Sequence, residues 1–328
     1  MKIGVVLCNL GGPRNLNDVQ PFLYRLFMDE EVVPIQLKGW SREIFAYLVS
    51  HWRAKKTRKK YAKIGGSSPI NENTEKQRTA LSLYLNQNYH KYHFEVATAM
   101  RFSFPNAEQA LEYLQEKEVK KIVLLPLYPH YCYSTGQSSI DTFQKVCQQR
   151  QSNIPVLIIK TYHTHPRYVQ AVNQKIDEEI NKLKDKKNTV LVFSAHGIPV
   201  RGVRKGDPYQ KNIEESIQAI MQARNFDLPY RISYQSRVGP MEWLKPYTQE
   251  VIQELAKQKI NNVIIIPISF VSDHLETLYE IGIEYAQLAQ KMGIPYFTFT
   301  NGLNDSPLFI QALAELIYEV LKHTIEQD

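Results

Sequence analysis

Histidine and acidic side chains are concentrated directly after an apolar run near residue 266. This run, residues 263–266, consists of β-branched residues and is followed by Pro267, a pattern typical of a parallel strand covered on both faces. One histidine and four acidic residues come next: Asp273, His274, Glu276, Glu280 and Glu284. Because ligands of open α/β sheets bind beyond the carboxyl ends of the strands, this position predicts a functional site. Imidazole and carboxylate groups there suit a hard or borderline divalent cation, or proton transfer.

The spacing of the three glutamates predicts that they share one side of a helix. A helix that begins at Ser272 or Asp273 has a favourable N-cap residue and carries the glutamates at intervals of four. Four residues of an α-helix turn about 400°, so each carboxylate is displaced by only about 40° from the last. The alternative is a solvated face whose acids pair elsewhere, but the position after a buried strand favours a site.

A second histidine lies at the end of another apolar run. Residues 194–199 have the sequence SAHGIP and follow the run 190–193, so His196 lies in a glycine turn and is expected to point out of the sheet. A purely structural histidine is the alternative. Because His274 occupies the corresponding end of another run in the same half, we expect the two imidazoles and the acids to converge. Neither serine nor cysteine stands in a nucleophile-elbow context near them, which argues against acyl transfer.

Eight apolar, β-rich runs alternate with segments of helical period. The four strongest are residues 3–7, 122–125, 190–193 and 263–266, and the weaker ones are residues 94–99, 156–159, 231–234 and 296–299. This alternation predicts a parallel sheet flanked by helices in each half of the chain. The predicted fold class is therefore α/β.

The two halves of the chain resemble one another. Residues 120–127, KKIVLLPL, correspond to residues 261–268, NNVIIIPI, and the opening VVLCNLGGP corresponds to VLVFSAHGIP. We therefore expect two similar units with a cleft between them, an N-terminal unit at residues 1–163 and a C-terminal unit at residues 164–306. The helix predicted at 307–328 is expected to join the N-terminal unit.

Composition limits the classes of protein to which the chain can belong. A length of 328 residues with 43% hydrophobic content predicts about two ordinary globular domains. The apolar runs are strand-sized and far shorter than the ~20 residues that span a bilayer. Three cysteines, Cys8, Cys132 and Cys147, lack CxxC spacing and an even count, so the pattern supports neither disulfides nor a structural zinc nor a four-cysteine cluster. A reducing cytoplasm is expected.

One segment combines aromatic residues with a run of cations. Residues 18–61 contain FLYRLF, Trp40 and Trp52, and six of the eight residues 53–60 are Lys or Arg. Such a run is most often a solvated helix face, and contact with phosphates or a membrane surface is the next alternative. The neighbouring aromatic residues favour peripheral membrane contact. Nucleic-acid binding is not expected, because the run is short and belongs to no recognised binding module.

Several motifs together resemble the ferrochelatase family. LCNLGGP, IGGSSPI, LYPHY with STG, SAHGIP with KGDPY, YQSRVGPMEWLKP and ISFVSDHLETLYEIGIEY follow one another in the family's order and cover nearly the whole chain. The pair SAHGIP and SDHLETLYE is highly specific. The resemblance implies a chelatase-like fold of two Rossmann-like units and an enzyme, a lyase, that inserts Fe(II) into protoporphyrin IX to form protohaem and releases two pyrrole protons.

The resemblance also implies roles for individual residues. The catalytic group is expected to be His196, Glu276, His274 and Asp273. Within this group, His196 is expected to bind the metal or accept protons, and Glu276 is expected to lie opposite His196. Both are therefore expected metal ligands. Glu280 and Glu284 are expected to extend a polar path for metal or protons. The residues expected to bind the porphyrin are Phe270 and Trp243 along the macrocycle, Arg53, Ser68 and Arg101 at the propionates, and Leu10.

Three positions depart from the patterns of particular family branches. Leu10 stands where members acting on coproporphyrin usually carry a tyrosine, which favours the protoporphyrin branch. Phe102 replaces a tyrosine found in animal members. The sequence ends at Asp328 without the cysteine-bearing tail of the iron–sulfur members, so no iron–sulfur cluster and no permanently bound cofactor are expected, with Fe(II) as a substrate only.

Two other functions remain open at this point. One is a chelatase for another tetrapyrrole or metal, such as coproporphyrin, sirohydrochlorin or cobalt. The other is a carrier that binds a tetrapyrrole or metal without turnover, which the row of acids disfavours because storage needs no proton path. The expected partners are the porphyrin and Fe(II), with a membrane surface and neighbouring enzymes of haem synthesis as further candidates.

Overall fold

The computed structural model describes residues 1–33, 35–237 and 241–325. The chain divides into two compact units: unit 1 comprises Met1–Thr161 and Ile310–Asp328, and unit 2 comprises Tyr162–Phe309. These borders lie two and three residues from the predicted ones. Residues 238–240 of the YQSRVGPMEWLKP motif and residues 326–328 of the helix predicted at 307–328 lie outside the described residues.

Unit 1 is built on a four-stranded parallel sheet with the order β2-β1-β3-β4. Its strands are β1 (Lys2–Asn9), β2 (His93–Met100), β3 (Lys121–Pro126) and β4 (Val156–Ile158). Its first helices are α1 (Val19–Met28), α2 (Trp40–Ala62) and α3 (Ile70–Asn88), followed by α4 (Ala107–Glu116) and α5 (Ser138–Gln149). A 3₁₀ turn at Leu16–Asp18 precedes α1, and a short π-helix at Tyr133–Gln137 precedes α5. The central strand β1 is covered on both faces, since Val5, Val6 and Leu7 are all fully buried.

Unit 2 repeats this architecture with the strand order β6-β5-β7-β8, again all parallel. Its strands are β5 (Thr189–His196), β6 (Tyr230–Gln235), β7 (Asn262–Ile266) and β8 (Tyr296–Phe299). Its helices are α6 (Pro166–Ile180), α7 (Val200–Arg204), α8 (Tyr209–Ala223), α9 (Thr248–Lys257) and α10 (Ala286–Lys291), and α11 (Pro307–Ile325) follows. The predicted α/β class, the eight strands and the internal repeat are therefore confirmed.

A long π-helix, Glu276–Tyr285, precedes α10 and carries the row of glutamates. Here the prediction of an ordinary α-helix with a side-chain cap at Ser272 or Asp273 was wrong, because the π-helix follows Leu275 and has no side-chain cap. A π-helix has more residues per turn than an α-helix, so residues four apart fall slightly short of one turn instead of slightly beyond it. The glutamates therefore still lie along one side, next to the buried face formed by Thr277, Ile281 and Tyr285.

The core of unit 2 fixes the π-helix against the sheet. Ile281 and Tyr285 belong to one apolar cluster with Val263 and Ile265 of β7 and with residues of α9. Gly282 allows a close approach to β8, because a Cβ at this position would lie 3.0 Å from the Phe299 ring. Packing on two strands thus sets the direction in which the glutamates beside this buried face point.

No helix within the described part of the chain has both the length and the apolarity required to cross a membrane. Helix α2 is long, but its sequence mixes aromatic residues with many cations. Its largest apolar side chains, Trp40 and Trp52, are 75% and 80% exposed. They form a surface feature of unit 1 and contribute little to its core.

A buried arginine connects α2 to the end of α1. Arg42 donates hydrogen bonds from Nε to the carbonyl of Met28 at 2.9 Å and from Nη2 to the carbonyls of Asp29 at 2.5 Å and Val33 at 2.8 Å. Met28 is the last residue of α1, so the cation satisfies a carbonyl group that the helix leaves unpaired and bonds to two more in the loop that follows. The guanidinium also complements the negative end of the helix dipole.

Replacing Arg42 by methionine should lower the free energy of unfolding by about 3 kcal/mol, because buried carbonyls lose a charged donor. Chemical denaturation of the purified variant measures the change. The matched control is Arg150→Met, since Arg150 pairs with Glu108 on the surface and exposed ion pairs contribute at most about 1 kcal/mol. Equal losses in the two variants would contradict the assignment of a stabilising role to the buried arginine.

Candidate functional site

The predicted site residues of unit 2 converge at the carboxyl ends of its central strands. His196 is the last residue of β5, and the segment after β7 carries Phe270 and His274. The Phe270 ring lies 5.8 Å from the His196 ring and 4.2 Å from the His274 ring, measured between centroids, and is steeply inclined to both. One aromatic ring thus contacts both imidazoles, which is the convergence expected from the strand ends.

His274 forms an ion pair with Glu276. Its Nε2 lies 3.0 Å from a carboxylate oxygen of Glu276, and its Nδ1 lies 3.1 Å from the carbonyl oxygen of Ser272. Both neighbours are acceptors, so the arrangement favours an imidazolium that donates from both nitrogens. The imidazole is buried, whereas the Glu276 side chain remains about one-third exposed and accessible to a ligand.

The two histidines differ in protonation. Burial lowers the pKa of His196 below its ordinary value and the positive charge of His274 contributes, although the charges of Glu276 and Glu280 oppose them. For His274, burial also acts to lower the pKa, but the charge and hydrogen bond of Glu276 outweigh it and the net pKa is raised. Burial acts to raise the pKa of Glu276, but the charge and hydrogen bond of His274 lower it to about 2. The site therefore combines an imidazole whose surroundings favour the neutral form with an ion pair that favours the imidazolium and the carboxylate.

Asp273 is fully engaged in holding the loop around the site. Its carboxylate accepts hydrogen bonds from Thr277 Oγ1 at 3.1 Å, from the Gly302 amide at 3.0 Å and from Asn304 Nδ2 at 2.8 Å. A Cβ on Gly302 would lie 2.8 Å from the Asp273 nitrogen, so this close approach requires glycine. This geometry fits a positioning role better than contact with a metal. Sequence analysis missed Asn304, and no motif pointed to it.

Glu280 and Glu284 are half-buried, and Glu280 has three donors of its own. Its carboxylate accepts hydrogen bonds from the Ser236 amide at 3.2 Å, Ser236 Oγ at 2.6 Å and the Tyr285 hydroxyl at 2.8 Å. Ser236 adopts a φ of 65°, a left-handed conformation that is uncommon outside glycine and that directs this residue at the carboxylate. Burial, then the charge and hydrogen bond of Glu280 and the charge of Glu284, raise the pKa of Tyr285.

Trp243 lies against the turn that follows His196. The backbone of residues 198–200 bonds to that of residues 242–244, with Leu244 N donating to Ile198 O at 3.1 Å and Val200 N to Glu242 O at 2.9 Å. A Cβ on Gly197 would lie 3.4 Å from the Trp243 ring and 2.8 Å from the Gln235 carbonyl. Gly197 therefore permits the indole to lie next to the histidine turn.

The remaining predicted residues belong to unit 1, where Arg101 already has strong partners. Its Nη2 donates to the buried carboxylate of Asp29, and its Nε donates to Ser138 Oγ at 3.2 Å. Asp29 was not among the predicted site residues, although its carboxylate also caps the amides of Glu31 and Val32. The arginine is thus oriented by an anion of the protein itself.

Arg53, Ser68 and Leu10 are also placed in unit 1. The Arg53 guanidinium lies 5.7 Å from the centre of the Phe27 ring, a cation–π contact. Ser68 is buried, and a Cβ on Gly12 would lie 2.6 Å from its Oγ. The Leu10 carbonyl accepts a hydrogen bond from the Phe102 amide at 3.0 Å, so the strand-end loop is fixed by its backbone.

Among residues 1–33, 35–237 and 241–325, no group of three or more His, Cys, Asp or Glu side chains is arranged to hold a metal ion by itself. The two expected metal ligands, His196 and Glu276, occupy the same strand-end cluster. A neutral imidazole and a carboxylate are both acceptable donors to Fe(II). The cluster can therefore offer one carboxylate and one imidazole to a metal whose other ligands come from a substrate, with the imidazole acting as ligand and as base in turn.

The chain is similar to known proteins over nearly its whole length. The family model described as ferrochelatase matches residues 2–321. A ferrochelatase of Cyanothece sp. is 41% identical over 324 residues, covering 98% of this chain and 83% of that protein, and one of Trichodesmium erythraeum is 41% identical over 323 residues with the same coverage of both chains.

Solved structures show the same fold at low sequence identity. The sirohydrochlorin chelatase SirB from Bacillus subtilis subspecies spizizenii, in complex with cobalt, has a TM-score of 0.58 at 11% identity, with 100% of this chain and 98% of that chain covered. SirB from Bacillus subtilis with Fe3+ has a TM-score of 0.56 at 14% identity and the same coverage. These similarities concern the fold, whereas the family model and the 41% identity extend over nearly the whole sequence. The chain therefore belongs to the ferrochelatase family.

Proposed function

We propose that this protein inserts Fe(II) into protoporphyrin IX to form protohaem, the last step of haem synthesis. The porphyrin gives up two pyrrole protons as the metal enters, and no electron is transferred. The observation that carries the proposal is the convergence of the His196 imidazole and the His274–Glu276 ion pair around Phe270 at the strand ends. Membership of the ferrochelatase family supports the same reaction.

The protonation states suggest a division of roles. His196 is the base that accepts a pyrrole proton, since only a neutral imidazole can do so. Glu276 keeps its negative charge and, together with His196, replaces water on the incoming Fe(II); the His196 lone pair accepts the proton only after the metal has passed to the porphyrin. His274 orients the Glu276 carboxylate. Asp273 fixes the segment that carries His274 and leads into the π-helix of Glu276. Glu280 and Glu284 continue the row of carboxylates and carry metal or protons to and from the reaction centre.

Porphyrin binding is assigned to the aromatic and cationic residues. Phe270 and Trp243, which border the histidine cluster, contact the macrocycle. Arg53, Ser68 and Arg101 bind the propionate carboxylates. For Arg101 the ion pair with Asp29 supports this assignment, because the side chain is already oriented before a ligand arrives. Leu10 favours protoporphyrin over coproporphyrin as the substrate.

An anaerobic assay of the purified protein tests the proposal. Fe(II) or Co(II) is supplied with protoporphyrin or with coproporphyrin, and the metallated product is measured spectroscopically. Faster turnover with protoporphyrin and iron is expected. Turnover only with coproporphyrin would overturn the substrate assignment, and preference for cobalt would indicate another chelatase. Stoichiometric binding without turnover would indicate a carrier. Iron and sulfide analysis of the same sample tests the proposal that no cluster or other cofactor is permanently bound.

The pH dependence of His196 provides an independent prediction. The NMR signal of its imidazole should titrate below pH 6.5, because burial lowers the pKa and keeps the ring neutral at neutral pH. In a Glu276→Gln variant the midpoint should move to still lower pH, since the negative charge that favours protonated His196 is removed. A midpoint above 6.5 in the wild-type protein, or an upward movement in the variant, would contradict this assignment of protonation states.

We also propose that α2 brings the protein to the surface of an anionic membrane, at the cytoplasmic face and near other enzymes of haem synthesis. Five exposed apolar side chains recur along its first half: Trp40, Ile44, Tyr47, Leu48 and Trp52. Their spacing of three, four and one residues places them on one side of the helix. The cations of residues 53–60 follow directly and suit acidic headgroups.

Replacing Leu48 by alanine should weaken binding to phosphatidylserine-containing vesicles by about five-fold, since roughly 1 kcal/mol of apolar burial is lost. Co-sedimentation with vesicles measures the change. Leu83→Ala is the matched control, because Leu83 of α3 is 59% exposed and Leu48 is 60% exposed. Equal binding of the two variants would show that α2 is not the contact surface.

A further inference from the structure

The backbone of His196 is not held by a neighbouring strand on one side. The ladder between β5 and β7 ends at the pair Phe193 and Ile266, and the last backbone bond on this side runs from Ile268 N to Ser194 O at 3.1 Å. Successive strand residues direct their N–H and C=O groups to alternate neighbours. His196 therefore directs both groups to the side of Ser194, where β7 has already ended.

Two side-chain hydroxyl groups replace the missing strand. The His196 amide donates to Ser269 Oγ at 2.9 Å, and the Tyr209 hydroxyl donates to the His196 carbonyl at 2.9 Å. The two hydroxyl oxygens are 2.7 Å apart. The assignment that satisfies every donor is a closed ring, in which the His196 N–H donates to Ser269, Ser269 donates to Tyr209, and Tyr209 donates to the His196 carbonyl. We call this ring the hydroxyl clamp.

The hydroxyl clamp is buried and is anchored at both ends. Tyr209 and Ser269 are less than one-tenth exposed, so their hydrogen bonds compete little with water and reinforce one another. Tyr209 is the first residue of α8, and its amide donates to Asp207 Oδ1 at 3.0 Å, which explains the KGDPY motif at this point. Ser269 directly precedes Phe270, the ring that contacts both imidazoles.

The buried side of the His196 imidazole is not oriented by a hydrogen bond to any described residue. Its Nδ1 is buried and makes no hydrogen bond to any of the described residues. In many catalytic histidines a carboxylate or carbonyl bonded to this nitrogen fixes the ring. Here the direction of the ring depends on the backbone of His196 and on packing against Phe270. The hydroxyl clamp fixes the backbone of His196 directly and the position of Phe270 through Ser269.

We propose that Tyr209 and Ser269 are positioning residues that set the direction of the His196 imidazole towards the porphyrin. The inference rests on the proposed function, because it concerns the same base. Neither hydroxyl touches the reacting atoms. A displacement of about 1 Å at a reacting group can cost roughly 10²-fold in rate, so loss of the clamp lowers turnover without removing any group from the reaction.

The test is a double-mutant cycle with Tyr209→Phe and Ser269→Ala, each of which deletes one oxygen. Each single variant should lower kcat for iron insertion about ten-fold and change KM for the porphyrin less than about two-fold. The double variant should also be about ten-fold slower, because either change opens the same ring. Ser269→Thr, which keeps the hydroxyl, should retain at least about one-third of the wild-type kcat.

The control for loss of a tyrosine hydroxyl is Tyr113→Phe, which removes a hydrogen bond to Glu95 in unit 1 and should leave kcat unchanged. Wild-type kcat in both single variants, or a multiplicative loss of about 100-fold in the double variant, would overturn the inference. Hydrogen exchange of the His196 amide gives a readout independent of activity, and it should accelerate at least ten-fold in Ser269→Ala. If the wild-type protein formed no haem, the proposed function would fail, while the exchange experiment would still decide whether the clamp exists.

Discussion

Replacing His196 by alanine should lower kcat for Fe(II) insertion by about 10³-fold, or roughly 4 kcal/mol in activation free energy. The variant lacks the one neutral imidazole of the strand-end cluster, and with it both a proton acceptor and an iron ligand. His274 cannot replace His196 as the proton acceptor, because the ion pair with Glu276 raises the pKa of His274 and favours its protonated form. Single-turnover formation of haem under anaerobic conditions measures the loss.

A matched control for this variant is His163→Ala. His163 is also a buried histidine of unit 2, and it pairs with Glu215 at 2.9 Å. Its replacement should leave kcat within about two-fold of the wild-type value once the folded fraction is taken into account. If His196→Ala formed haem at the rate of this control, His196 would be neither the base nor an essential metal ligand.

Changing Glu276 to glutamine should lower kcat by about 10²-fold. The amide keeps the size of the side chain but removes the negative charge that attracts Fe(II) and pairs with His274 at 3.0 Å. The pKa of Glu276 is about 2, so the carboxylate is charged throughout the working pH range and the variant removes a full charge. Steady-state assays at several Fe(II) concentrations separate weaker metal binding from slower chemistry.

The second carboxylate–histidine pair of unit 2 supplies the control for Glu276→Gln. Glu215→Gln breaks the ion pair with His163, which has nearly the same length, 2.9 Å, and in which the Glu215 side chain of α8 is 45% exposed. Normal kcat in Glu215→Gln together with a large loss in Glu276→Gln assigns the effect to the site. Similar, small losses in both variants would mean that Glu276 only stabilises the fold.

The fold was largely predictable because its signal is local. Parallel strands buried on both faces require continuous β-branched runs, and the eight runs of the sequence are the eight strands of the two sheets. The correspondence of residues 120–127 with 261–268 predicted the repeat, and the two sheets have equivalent strand orders. The π-helix was not predictable, since its spacing of four between acids and between buried residues is also that of an α-helix.

By itself the sequence determined which residue types stand at the strand ends, since His196 closes β5 and His274 and Glu276 follow β7. Only the tertiary structure decided their chemical states and partners. Burial lowers the pKa of His196, the Glu276 carboxylate raises the pKa of His274, and the Gly302 amide and Asn304 engage Asp273. Tyr209 and Ser269 are separated by 60 residues in the chain, and their contact exists only because β7 ends before β5 does. Such contacts depend on where strands end in space, which a local pattern of residues does not specify.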